Sequence, residues 1–477
     1  MKDLTLIMDI LGNYQYKNTS KGIYAYIDTV NGREEVSVTG NVFYSIIADD
    51  YRRATNGDPV GIGTIKKCVF NQCGSILKTQ KLIDTNLRIQ QEEDGSIIRI
   101  NLANEKYEYI EITCNGWKIC SDGDKYFSKV NGQGEMPKPI RGGELEKIFN
   151  YCRIPDEKKK LFLAYVISCF IDIIHPCLVI QGSAGSGKST LSTMLKMLID
   201  PCKNNAPCIF PKSEGELQYM YNSNYFVAYD NMQKLNAKQS DYLCSIVTGS
   251  QILKRKLYTD SEVCQYDLRQ PILLNGISGI VTREDMLDRS IIIELLPLES
   301  DVRYSERQLM RDFKNDLPYI LGGIMDVLVE VIATYEPDSL FSSPRLIDFY
   351  EYGYYICEAI EKGSGDVFCD EFNNSMYNQK KKFCKNEELK EVLICFLEEN
   401  DNYWYGTMGD FSEELLSFTE EWETTEKPSA VPPTANRLAR ELHVMNESLK
   451  ERGIYIAYSK DKRNCSTVKI WLVEDEE

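Results

Sequence analysis

The run Gly182-Ser183-Ala184-Gly185-Ser186-Gly187-Lys188-Ser189 constrains this chain more than any other feature. It satisfies GxxxxGK[ST] in full, and its flanks have the patterns that the motif needs. Cys177 to Gln181 (CLVIQ) reads as a short buried strand, and Thr190 to Ile199 (TLSTMLKMLI) reads as a helix. Strand, glycine loop and helix, in that order, make a phosphate cradle. The glycines let backbone N–H groups turn inward, and the helix start adds its positive dipole end. In this pattern residues 182–190, Thr190 included, line a nucleotide. Lys188 supplies charge to the β and γ phosphates, and Ser189 a hydroxyl to Mg²⁺. ATP and Mg²⁺ are therefore the expected cofactors, and α/β the expected class.

A nucleotide site of this kind needs a carboxylate from a neighbouring strand. Tyr225 to Tyr229 (YFVAY) is a buried-strand pattern followed by Asp230-Asn231, which makes Asp230 the expected metal carboxylate. Asn231 stands where many ATPases carry a second acid. An amide orients a water but cannot take its proton, so the activating group is open among Asp230, Glu214 and Glu216. Pro271 to Gly276 (PILLNG) reads as a third strand ending in Asn275. In ATPases of the AAA+ type an Asn there touches the attacking water. Arg289 precedes the strand pattern Ser290 to Leu295 and is the expected arginine finger, with Arg283 as alternate. A surface ion pair with Asp285 or Asp288 is the plainer reading of either. Between the second and third strands lies Lys254-Arg255-Lys256-Leu257-Tyr258, cations beside an aromatic. Such a run contacts phosphates and a base or sugar from a pore loop, turns Arg255 toward a neighbouring subunit's nucleotide as in related ATPases, or forms an ordinary solvated charge run.

At 477 residues, two or three domains are expected. A formal charge of -17 excludes a protein that coats nucleic acid with its whole surface, but not one with a local basic channel. The 16 cysteines are scattered, with no CxxC pair, which suits a reducing cytoplasm better than a zinc ribbon. No signal-peptide pattern opens the sequence. Leu161 to Ile180 has about the length of a membrane span. Asp172, His175 and Pro176 interrupt it, so it reads as a buried helix, a break and a strand, with no membrane segment.

The remainder divides by pattern. Residues 1–140 alternate strand-like runs with turns and read as an α+β interaction or assembly domain, with strands at Ile23–Ile27, Arg33–Thr39, Ser96–Ala103, Tyr107–Thr113, Gly116–Ile119 and Tyr126–Lys129 and a helix over Val42–Ala54. Lys138-Pro139 and Gly142-Gly143 punctuate a linker. Residues 141–335 hold the ATPase core and a lid of helices (Ser305–Asp316, Tyr319–Tyr335), with Arg303 and Arg307 as further nucleotide candidates. Residues 336–385 form a helical linker. Residues 386–477 read as helices and then a hairpin of Ile454–Tyr458 and Thr467–Val473, a winged-helix pattern. Asn436, Arg437, Arg440, Lys460, Lys462 and Arg463 are its candidate DNA contacts, unless the module binds protein.

Taken together, Arg141-Gly142-Gly143, the glycine loop, Tyr229-Asp230-Asn231, Lys254 to Asp260, Leu273-Leu274-Asn275-Gly276 and Asp288-Arg289 resemble superfamily 3 helicases. The likeness is to the helicase part of poxvirus- and phage-type primase-helicases, as carried by prophages and integrative elements. The resemblance implies a ring, usually a hexamer, with Arg289 reaching the neighbour's nucleotide. It implies 3′→5′ travel on single-stranded DNA in the pore, and a C-terminal winged helix. An AAA+ ATPase that remodels a protein or loads another helicase is the competing expectation.

Overall fold

The structure is a computed structural model that describes residues 2–297 except 31, 131 and 256–262, then 305–337, 346–420, 431–460 except 451, and 466–473. It falls into two compact units, Met1–Ile280 with Arg289–Phe372, and Val281–Asp288 with Asn373–Glu477.

The first unit opens with α1 (Lys2–Gly12), β1 (Tyr16–Thr19), β2 (Gly22–Thr29), β3 (Gly32–Ser37), α2 (Asn41–Ala54) and α3 (Ile62–Thr79). The three strands pair in sequence order, and the helices bury Ile7, Leu11, Phe43, Ile47 and Val69 against them. A four-stranded antiparallel meander follows, of β4 (Ile89–Gln91), β5 (Ile98–Asn101), β6 (Tyr109–Thr113) and β7 (Gly116–Cys120). The strand expected at Tyr126–Lys129 is instead a single bridge from Phe127 to Asn86.

Next come α4 (Lys159–Ser168), β8 (Cys177–Gln181), α5 (Lys188–Ile199), α6 (Glu214–Ser223), β9 (Val227–Met232), α7 (Ala237–Val247), β10 (Gln251–Arg255), β11 (Val263–Asp267) and β12 (Ile272–Gly276). After α8 (Glu284–Leu287) the unit resumes with β13 (Ser290–Glu294), α9 (Glu306–Thr334) and α10 (Ile347–Ile360). Strands β13-β8-β12-β9 form one parallel sheet in that order. Every residue of β8 and β12 is buried, as central strands covered on both faces require. From Leu161 to Ser168 every residue of α4 is buried as well, so the most apolar segment of the sequence is a core helix. The fold is mixed α/β around a parallel sheet.

Residues 136–145 do not hang free as a linker. Ile140 N–H donates to Pro318 O (2.9 Å), and Glu144 N–H to Tyr319 O (3.1 Å). A Cβ on Gly143 would lie 2.1 Å from Gly323 N, and one on Gly322 would lie 1.8 Å from Ile140 O. The paired glycines thus let two backbones cross in contact. Arg141 caps this crossing with its guanidinium 4.3 Å from the Trp117 ring centroid, while Trp117 Nε1 donates to Asp326 (2.8 Å). The helix expected to break before Tyr319 is one continuous α9 with Pro318 inside, and the carbonyls at this proline accept the crossing segment. Among the described residues α9 alone is apolar and long enough to cross a membrane by composition, and 56% of its most apolar window is buried in the protein.

The chain passes into the second unit along α11 (Ser364–Glu399). It ends in β14 (Tyr403–Gly406), α12 (Met408–Glu420), α13 (Ala435–Lys450), β15 (Ile454–Lys460) and β16 (Ser466–Leu472), with strand order β14-β16-β15. Leu438, Leu442, Met445 and Leu449 give α13 one apolar face, buried with Leu393, Phe396, Trp404, Phe411, Ile454 and Ile470. Gly453 turns the chain from α13 into the hairpin at φ +76°.

Candidate nucleotide site

Strands β8, β9 and β12 run parallel, so their C-terminal ends meet at one edge of the sheet. That edge, where open α/β sheets bind ligands, carries the glycine loop, Asp230-Asn231 and Asn275. Gly182, Gly185 and Gly187 have φ of +155°, +78° and +86°. A Cβ on Gly182 would sit 2.7 Å from Ser186 Oγ, so the first glycine is needed for space as well as for conformation. Gly182 N–H donates to Ile277 O (3.1 Å), which docks the loop onto the end of β12. Ser183, Ala184 and Gly185 are exposed at the loop's tip, Ser186 is buried beneath it, and Thr190 is half-buried in the first turn of α5.

Lys188 Nζ donates to the carbonyls of Gly182 (2.8 Å) and Ser183 (2.7 Å). Partial burial lowers its pKa, against the pull of the Asp230 charge. The ammonium therefore sits over the loop, on acceptors that an anion with stronger acceptor oxygens can replace. Ser189 Oγ donates to Asp230 Oδ1 (2.8 Å). One hydroxyl and one carboxylate converge, an all-oxygen donor pair of the kind that suits Mg²⁺.

Asn231 follows in the left-handed region at φ +52°, which Asn tolerates better than most residues. Its side chain is exposed, and its N–H donates to Asp230 Oδ1 (2.9 Å) and Asn275 Oδ1 (3.1 Å). Asn275, expected at the reacting face, is 1% exposed. Its Nδ2 donates to Ser192 Oγ (2.7 Å), and Ser192 Oγ donates to Lys188 O (2.9 Å). No motif marks Ser192, and the sequence reading missed it. Glu216 caps α6 by accepting Lys212 N–H (3.1 Å). The Glu214 side chain lies outside the described residues.

The basic candidates lie elsewhere. Arg289 immediately precedes β13, where its carbonyl accepts Cys177 N–H (2.8 Å). That is the N-terminal edge of the sheet, roughly five residues at ~3.3 Å each from the glycine loop of the same chain. Arg283 Nη2 donates to Asp285 (3.0 Å), the plain surface pair that the sequence allowed. Lys254 and Arg255 stand at the end of β10, paired with Cys264 and Val263 of β11, so the basic run does enter a hairpin. Lys256 and Tyr258 lie outside the described residues, as do Lys462, Arg463, the side chain of Lys460, and Arg303. Arg307 lies near the start of α9. Asn436, Arg437 and Arg440 are exposed on α13, with Arg437 paired to Glu441 (3.3 Å).

Residues 144–365 match the family model described as actinomycete integrative conjugative element replication protein. No curated protein matches the chain. Among solved structures, the apo C-terminal region of NrS-1 shares 10% identity over 99% of this chain and 100% of that one, with a TM-score of 0.39. SCCmec type IV Cch, titled an active helicase, shares 10% identity over 96% of this chain and 93% of its own, with a TM-score of 0.45. A ligand-bound JCV helicase shares 16% identity over 46% of this chain and 64% of its own, with a TM-score of 0.26. The family match runs from the glycine crossing on α9 into the start of α11 and includes every strand and loop of the site. Across this core, the chain is similar to replication proteins of integrative conjugative elements.

Proposed function

We propose that this chain is an ATP-driven DNA helicase that serves replication of a mobile element and works as a hexameric ring. The observation that carries the ATPase part is the meeting of Lys188, Ser189 and Asp230 at one sheet edge, below a loop that only glycines can form. Lys188 would leave the loop carbonyls for the β and γ phosphates, and N–H groups of residues 182–190 would hold the remaining oxygens. Ser189 and Asp230 would hold Mg²⁺. Bound there, the ion would neutralise charge on the phosphate oxygens.

Arg289 fits a role in trans. It lies at the sheet edge opposite its own glycine loop, so the nucleotide it serves belongs to a neighbouring subunit. The β10–β11 hairpin is read as the pore loop, with Lys254, Arg255, Lys256 and Tyr258 on single-stranded DNA. A basic channel lets a chain of net charge -17 hold a polyanion. The second unit is read as a winged helix, with Arg437, Arg440, Lys460, Lys462 and Arg463 toward duplex DNA. The similarity of residues 144–365 to replication proteins favours DNA over a protein substrate.

The test is ATP hydrolysis with and without single-stranded DNA, in wild type, Lys188→Ala and Lys256→Ala. DNA should stimulate wild-type turnover, Lys188→Ala should abolish it, and Lys256→Ala should remove only the DNA response. Turnover that ignores DNA would defeat the helicase reading and point to a protein-remodelling ATPase.

A further inference from the structure

Ser192 is fully buried one turn into α5, and Asn275 is 1% exposed at the end of β12. Their hydrogen bonds have a fixed direction. A backbone N–H can only donate, so the Asn275 atom facing Asn231 N must be Oδ1. Nδ2 therefore faces Ser192 Oγ, which must accept. The Ser192 hydroxyl proton is then free to go to Lys188 O. One directed series runs from the Asn231 amide through Asn275 and Ser192 to the backbone of Lys188. A second link closes the circuit at the surface, where Ser189 donates to Asp230 and Asp230 accepts the same Asn231 amide. The circuit ties the phosphate-loop helix to the end of β9, where Asn231 is held at φ +52°. Buried series of this kind lose more than one bond when any member is removed, because the next group is left unsatisfied.

We propose that Ser192 is a positioning residue of the ATPase site: through Asn275 it holds Asp230–Asn231, at the end of β9, in register with Ser189, so that hydroxyl and carboxylate meet Mg²⁺ together. The proposal rests on the ATPase reading above. Ser192 is fully buried and acts through Asn275 rather than on nucleotide or metal. Its effect is greatest in states that need the Ser189–Asp230 pair, because its one bond to Lys188 goes to the backbone carbonyl, whereas the anion cradle is built from the Lys188 ammonium and the loop amides.

The experiment measures ATP turnover against Mg²⁺ concentration, and binding of a fluorescent ATP analogue in EDTA, for wild type, Ser192→Ala, Asn275→Ala and the double variant. Ser192→Thr serves as the conservative control. Ser192→Ala should raise the Mg²⁺ midpoint several-fold and lower kcat about tenfold, the scale of one unsatisfied buried group. Metal-free analogue affinity should stay within about twofold, since the cradle is untouched. The double variant should be no worse than the poorer single one, because both cut the same series. Ser192→Thr, which keeps the hydroxyl, should recover the wild-type Mg²⁺ midpoint. Wild-type Mg²⁺ dependence in Ser192→Ala, multiplied losses in the double variant, or an equal loss of metal-free binding would each overturn the proposal. A wild-type protein without turnover is a separate outcome that removes the ATPase reading itself.

Discussion

The two ends of α5 each carry a lysine, and the two lysines have opposite surroundings. At the N-terminal end Lys188 lies over the glycine loop, held by backbone carbonyls. At the C-terminal end Lys196 is buried and fully committed. It donates to Asp200 (2.8 Å), Asn224 Oδ1 (3.0 Å) and Phe226 O (2.6 Å). Asp200 also takes Arg88 Nε (3.0 Å) and the amides of Tyr225 (2.8 Å) and Phe226 (3.1 Å). Arg88, fully buried, comes from the segment leading into β4, and it further donates to Asn101 O (2.9 Å) and Pro201 O (3.1 Å). Asp200 thus joins the end of α5, the start of β9 and the N-terminal meander. The far ends of α5 and β9 carry Ser189 and Asp230. The contrast teaches that a charge left on weak acceptors can serve a ligand, whereas one with every bond taken holds the elements in place.

The largest expected effect breaks the exposed end. Lys188→Ala should reduce ATP turnover by about a hundredfold or more, the scale for losing one preorganised cation or donor at a reacting phosphate. Its melting temperature should stay within a degree or two of wild type, since partly exposed Lys188 bonds only to loop acceptors. Unfolding of Lys188→Ala on the same scale as a core variant would erase the distinction between the ends.

Arg88→Met breaks the other end. It leaves Asp200 buried with only Lys196 as a counter-charge, and removing one partner of a buried pair costs about 3–5 kcal/mol. Urea unfolding should show that loss, and kcat measured well below the melting point should change little. A large fall in kcat with unchanged stability would mean that the N-terminal meander acts on the site directly. Burial raises the Asp200 pKa, and the nearby Lys196 and Arg88 charges more than reverse this, leaving it below the ordinary carboxylate value. A carboxylate depressed in the fold gives up its stabilisation only as pH falls from its unfolded value through its folded one. Arg88→Met should therefore differ from wild type at neutral pH and converge with it in strong acid.

The exposed end was legible in the sequence because its chemistry fixes residue types at fixed spacing. Gly182, Gly187, Lys188 and Ser189 sit in one contiguous motif, and Asp230 and Asn275 each end an apolar strand run. The four strands of the sheet were read from apolar runs of the same kind, and their parallel pairing came from the structure. The anchored end left no such trace. Arg88 is 112 residues from Asp200 in sequence, so the cluster of Arg88, Lys196 and Asp200 forms no motif, and Lys196 looks like one more polar residue on an amphipathic helix. Gly142-Gly143 was misread as linker punctuation for a related reason. Two glycines mark a turn or a close backbone approach equally well, and only the presence of Gly322-Gly323 across the contact decides. The Asn275–Ser192 bond was invisible because a buried serine in a helix has no pattern.

The smallest effect follows the same contrast along β8, whose C-terminal end meets the glycine loop and whose N-terminal end follows His175. That histidine is buried, with Nε2 2.8 Å from Ser168 O, so Nε2 carries the proton. Nδ1 has no hydrogen-bond partner among the described residues. Burial, partly offset by the Ser168 carbonyl, pushes the His175 pKa down to about 4. The unfolded chain protonates near 6.5, so it binds the extra proton first, and stability falls as pH drops from about 6.5 toward 4 by at most about 1.4 kcal/mol per unit. Glu371 acts with the opposite sign in an overlapping window. Burial outweighs its bond from Leu161 N–H (3.2 Å) and raises its carboxyl to about 7, so its contribution is lost as pH rises from the unfolded carboxylate value toward 7. A raw stability curve therefore mixes the two, and the informative measurement is a difference. His175→Gln keeps an N–H donor and removes the titration, so its urea midpoint should approach that of wild type as pH falls from 6.5 to 5. Parallel curves would mean that His175 titrates normally in the fold and that the approach to the N-terminal end of β8 is open to water.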